Sequence, residues 1–171
     1  MPVIINPEEL TFKASPTALE SFGILTLSPR LSAIAHSGHF YFDIRKLEHG
    51  KYSFPYHFHR NAEELMIVIS GTMTVRMPDG FEVVKQGQLL FFEEGETGAH
   101  QFYNHTEEPC IYLDIRSNRG IDVTEYPDSG KLAILPSGDV FDKDSKVDYN
   151  KGEEDVENIW DKMWNDWDRK K

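Results

Sequence analysis

The chain has 171 residues, a formal charge of −11 and one cysteine, Cys110. This length predicts a single domain with its own core. The acid excess argues against a nucleic-acid binder or an anionic-membrane binder, and a lone cysteine excludes an internal disulfide framework.

No apolar run approaches the ~18 residues of a membrane helix. The opening residues Met1-Pro2-Val3-Ile4-Ile5-Asn6 lack the basic region and long apolar core of a signal peptide, so a soluble, cytoplasmic chain is expected. Residues 1–21 read as an N-terminal extension, 22–116 as a strand-rich body and 117–171 as a C-terminal extension. Strands are predicted at 22–27, 40–47, 52–59, 64–70, 72–77, 81–85, 88–92, 100–105 and 110–116. They are rich in β-branched and aromatic residues, which suit a half-buried pleated surface. Pro78-Asp79-Gly80 is a hairpin turn, with Pro presetting φ and Gly supplying φ > 0. Many short, closely spaced strands predict an all-β sandwich, jelly roll or barrel, and no long helix interrupts them as a parallel α/β sheet would require.

Beyond Arg116, 126–130 and 136–138 carry loop signals. Val156, Ile159, Trp160, Met163, Trp164 and Trp167 then recur at helical spacing, which predicts an amphipathic helix over about 153–169. Acidic residues open it and Arg169-Lys170-Lys171 close it, the order that a helix dipole favours. A helix this short is marginal alone, so it is expected to dock on the barrel or on a second subunit.

The chemistry concentrates in His57-Phe58-His59 and Glu64. Alternate residues of a strand share a face, so the two imidazoles project together. Four residues allow a turn that brings Glu64 beside them, and His100, at the start of a later strand, is a fourth candidate. Imidazole with carboxylate suits Zn, Fe, Ni or Mn. The same pair would also serve as surface residues on an edge strand. Met66 and Phe102 share strand parity with Glu64 and His100, which places them either on a ligand pocket or in plain core. Arg45, Arg60, Arg76 and Arg116 are candidates for an anionic ligand, although a surface position is the commoner fate of an arginine.

The wider spacing resembles the cupin superfamily. Gly50, His57, His59, Glu64 and Gly71 follow its first motif, and Gly87, Gly95, His100 and Asn104 its second. Glu64 fits better than Glu63, since six residues then precede Gly71. The spacing departs at three points: six residues precede His57, Glu93 replaces the proline of the second motif, and the loop before His100 is two residues longer. The resemblance implies a double-stranded β-helix, a jelly-roll cupin barrel, with one divalent metal ion held by His57, His59, Glu64 and His100. It implies a metal-dependent enzyme acting on a small molecule, of isomerase or dioxygenase type, or a non-catalytic ligand-binding or sensing module. Leu65-Met66-Ile67-Val68-Ile69 is apolar on both faces, so its outer face needs a cover, either the tail helix or a second subunit, and the resemblance implies a homodimer.

Overall fold

The computed structural model describes residues 2–14 and 19–170, so Lys171 and part of the N-terminal extension lie outside it. Where the sequence alternates or runs apolar, it forms strands: β1 (Thr11–Ala14), β2 (Ile24–Ser28), β3 (Phe40–Leu47), β4 (Phe58–His59), β5 (Glu64–Ser70), β6 (Thr72–Met77), β7 (Gly80–Lys85), β8 (Leu89–Phe92), β9 (Gln101–Tyr103) and β10 (Cys110–Ser117). A short helix, α1 (Leu31–Ile34), links β2 to β3. All strand pairs are antiparallel, in a six-stranded sheet ordered β1-β2-β3-β10-β5-β8 and a three-stranded sheet ordered β7-β6-β9. The buried cluster between them includes Ile24, Leu47, Met66 and Val68 from one sheet and Met73, Val75, Val84 and Phe102 from the other. This is the jelly-roll barrel that the motifs implied.

The chain departs from the predicted elements in three places. Only Phe58–His59 of the run 52–59 is strand, with single bridges at Tyr52 and His57. Pro55 has no N–H to donate, so the ladder breaks there and re-forms after it. Residues past 117 are more ordered than their loop signals suggested. They form β11 (Asp122–Tyr126), β12 (Lys131–Leu135) and β13 (Asp139–Asp142), and β11 pairs with β4 in a four-stranded sheet ordered β13-β12-β11-β4. The signal at 126–130 is the turn of the β11–β12 hairpin.

The third departure is the tail. A helix forms at α2 (Val156–Asp168), but none of its residues is buried. Trp160 is 68% exposed and Trp164 54%. Trp164 and Trp167 contact each other, with ring centroids 5.0 Å apart.

Gly71 makes the turn between β5 and β6. Its φ is +84°, and a Cβ there would sit 2.8 Å from the Pro109 carbonyl oxygen. Both the left-handed backbone and the missing side chain are therefore required.

Candidate metal centre

His59 in β4, Glu64 at the start of β5, and His57 and His100, joined to each other by a single β-bridge, line one cavity inside the barrel. His57 and His100 exchange backbone hydrogen bonds, 3.2 Å from the His57 N–H and 2.9 Å from the His100 N–H. That bridge sets their rings 4.8 Å apart. His59, two residues along, shares the face of His57, with ring centroids 5.3 Å apart. Phe58 points the other way, into a small cluster with Tyr56 and Ala99. Glu64 opens β5, opposite Phe92 on one side and Arg116 on the other. One ligand atom from each of His57, His59 and Glu64 lies within 4.8 Å of the others. His100 Nε2 is 3.2 Å from Glu64 Oε2. All four side chains are buried.

Each imidazole is anchored through its other nitrogen. His57 Nδ1 lies 2.8 Å from the Pro55 carbonyl oxygen and His100 Nδ1 lies 2.9 Å from that of Gly98. A carbonyl only accepts, so both Nδ1 atoms carry the proton and both Nε2 atoms present a lone pair inward. His59 Nδ1 lies 2.5 Å from Asp122 Oδ2, with the Thr124 hydroxyl at 3.2 Å. This carboxylate–histidine arrangement orients metal-binding imidazoles and raises their basicity. Gly98 is essential to the geometry, because a Cβ on it would collide with the Glu93 carbonyl.

The contact between His100 and Glu64 is the most telling. Glu64 Oε2 is buried and has no hydrogen bond of proper geometry among the described residues, although His100 Nε2 lies beside it. Two lone pairs 3.2 Å apart in a buried site repel unless a cation stands between them, a proton or a metal ion. Three imidazoles and one carboxylate form a donor set of low net charge that suits a divalent transition metal.

The protons are distributed unequally. Burial, with the charges of His100 and His59 beside it, pushes His57 down to about 3. Burial also opposes charge on His59, but the Asp122 and Glu64 carboxylates outweigh it and lift His59 to about 9. Burial likewise works against ionised Glu64, yet His100 and His59 at its carboxylate hold it well below the usual range.

The four side chains open onto a cavity of about 390 Å³. Met66 and Phe102 line it and are also core residues, 3% and 1% exposed, so the two readings of them coincide. Of the four arginines singled out from the sequence, Arg45 and Arg116 reach the cavity wall. Arg60 instead pairs with Glu125, and Arg76 pairs bidentately with Asp128 at 2.6 and 2.9 Å. Asn104, the last residue of the second motif, pins the 104–108 loop rather than joining the site. Its amide donates to the Leu47 and Glu108 carbonyls.

Asp114, Asp122 and Thr124 were not foreseen. A signal for Asp114 does exist in β10, where Tyr112 and Asp114 are buried while Ile111, Leu113 and Ile115 on the opposite face are only half-buried. The alternation is inverted, with polar residues inside. Asp122 and Thr124 lie in a stretch where turn residues dominated the reading.

Comparison with known proteins agrees with this geometry. Residues 44–116 match the family model for the cupin domain. Over these residues the chain carries the pattern of a cupin domain. Among solved structures, a cupin-superfamily sugar phosphate isomerase from Silicibacter pomeroyi superposes with a TM-score of 0.75 at 20% identity, over 86% of this chain and 98% of that one. A candidate sugar phosphate isomerase from Acidithiobacillus ferrooxidans gives 0.65 at 25% identity, over 72% and 80%. The polyketide cyclase RemF from Streptomyces resistomycificus gives 0.55 at 19% identity, over 68% and 80%. No curated protein matches the chain.

Proposed function

We propose that this cupin is a metal-dependent enzyme of isomerase type acting on a small molecule, with one divalent ion held by His57, His59, Glu64 and His100. The observation that carries the reading is the 3.2 Å approach of His100 Nε2 to Glu64 Oε2, beside the His57, His59 and Glu64 group whose ligand atoms lie within 4.8 Å of one another. A bound divalent ion supplies a Lewis acid that polarises a substrate oxygen. The chain's own contribution is a proton-carrying group in the same cavity. Asp114 is buried there, and burial raises its carboxyl above the usual range while Arg45 opposes the rise. A carboxyl of that kind can hold or accept a proton beside a polarised carbonyl, which is what an isomerase requires. The two isomerase-described neighbours support the reading at the level of the fold.

The test is metal content after chelator-free purification, followed by turnover on a panel of aldoses, ketoses and their phosphates. One ion per chain is expected, with interconversion that chelation abolishes and metal restores. Bound metal and saturable ligand binding without turnover on any substrate would make the protein a binding module instead.

A second copy is proposed to cover the outer face of the six-stranded sheet. On that face Leu89 and Phe91 are 65% and 62% exposed, beside the half-buried Leu65 and Ile67 of β5. Sedimentation should show a dimer that Phe91→Glu dissociates, and a monomeric wild type at tens of micromolar would refute it.

A further inference from the structure

The inner faces of β3 and β10 carry a polar group that the metal centre does not use. In the paired strands Arg45 lies opposite Tyr112, Asp43 opposite Asp114, and Tyr41 opposite Arg116. Arg116 is in turn opposite Glu64. The polar rows therefore run directly into the metal site.

Arg45 is held on two sides. Its Nε donates to Asp114 Oδ2 at 2.9 Å, and its guanidinium carbon lies 5.3 Å from the centroid of the Phe54 ring. These contacts fix the plane of the fork, whereas its Nη1 is buried with no hydrogen-bond partner among the described residues. Leaving a buried donor unpaired is unfavourable, and a charged one more so. Arg116 lies over Tyr41, with its guanidinium carbon 5.0 Å from the ring centroid, and approaches Asp122 only at 3.6 Å. Arg30 stands exposed at the edge of the same cavity. The cavity wall thus carries three arginines against two carboxylates, in a chain whose net charge is −11. Asp114 already belongs to Arg45, and Glu64 to the metal centre.

We propose that Arg45, oriented by Asp114 and flanked by Arg116, recognises an oxyanion, a phosphate or carboxylate group, on the molecule that meets the metal centre. A planar guanidinium fixed along one edge and stacked on an aromatic ring is pre-organised for two parallel N–H···O bonds, the geometry that reads such groups. The substrate class is therefore an anionic small molecule with an oxygen function at some distance from its charged end. This assignment rests on the metal-dependent reading of the same cavity, and the experiment separates the two.

The experiment is calorimetric titration of the zinc-loaded and the metal-free chain, at constant ionic strength, with glycerol phosphate and with succinate in separate runs. Wild type should bind one of the probes saturably, and the stronger one identifies the group. Arg45→Gln should weaken that binding at least tenfold, and Arg45→Lys by less. Zinc content should stay at one per chain in both. Arg76→Gln, whose donors are used by Asp128, should bind as wild type does. Because Arg45→Gln strands Asp114, the double variant Arg45→Gln with Asp114→Asn keeps a neutral pair and serves if the single variant does not fold. No saturable binding of either probe, or wild-type affinity in folded Arg45→Gln protein, overturns the assignment. Arg45-dependent binding in a chain that fails to take up zinc would sink the metal reading and leave the oxyanion site standing.

Discussion

His59 is the residue on which the site's pH response turns. In the metal-free chain it is protonated at neutral pH, since its folded value is about 9, and it bridges Asp122 and Glu64. A metal ion must displace the Nε2 proton, so binding releases one proton wherever His59 is charged. Affinity should therefore rise about tenfold per pH unit between 7 and 9 and level off above that. His57, neutral down to about 3, adds nothing in this range. Stability of the metal-free chain should move the opposite way. A raised histidine value stabilises fully below the unfolded value of ~6.5, and the contribution is lost as pH passes about 9. Zinc titration and thermal melts across pH 6.5–9.5 check both slopes, and parallel trends would contradict the assignment. Asp122→Asn should lower metal affinity by about 10–100-fold while leaving the ion bound by the same residues. His57→Ala or His59→Ala should remove most of the metal with the fold intact. Glu64→Gln should weaken binding and shift the preference among metals, because the set then has no anionic ligand.

At the scale of elements, the β3, β5 and β10 strands explain what was legible beforehand. β6 begins and ends where polar–apolar alternation starts and stops, and β5 is a continuous apolar run bounded by Glu64 and Ser70. The His57, His59 and Glu64 group was legible because alternate residues of a strand share a face and four residues allow a turn that brings Glu64 beside them. Asp114 and Arg45 were not singled out as a pair, since an Asp and an Arg 69 residues apart carry no joint signal until β3 and β10 are placed side by side. Tail helix α2 shows the opposite limit. Its periodicity is local and therefore readable, but what covers a stripe is a tertiary fact. All three tryptophans lie on it, so indole emission reports its environment alone. In dilute monomer the emission should be red-shifted and quenchable by acrylamide, and truncation after Gly152 should leave the melting temperature and zinc content unchanged. Shielded, blue-shifted indoles in the monomer would contradict the exposed stripe. Cys110, buried in the barrel with its thiol pushed up to about 11 by burial, should resist thiol reagents until the chain unfolds.

For the whole molecule, the polar interior of the barrel sets stability against ligand binding. Asp43, Arg45, Glu64, Tyr112 and Asp114 occupy positions where a purely structural barrel would place aliphatic side chains, and four of their polar atoms are buried without a hydrogen bond among the described residues. Exchanging a buried ion pair for apolar residues of similar volume is often neutral or stabilising by ~1–4 kcal/mol. Arg45→Met with Asp114→Leu should therefore melt at or above the wild-type temperature while losing oxyanion binding, and a clear drop in melting temperature would refute this. Random mutation screened only for thermal resistance should then drift toward an aliphatic lumen and away from oxyanion binding. Ranking variants by heat tolerance would, in this barrel, select against its own polar lumen.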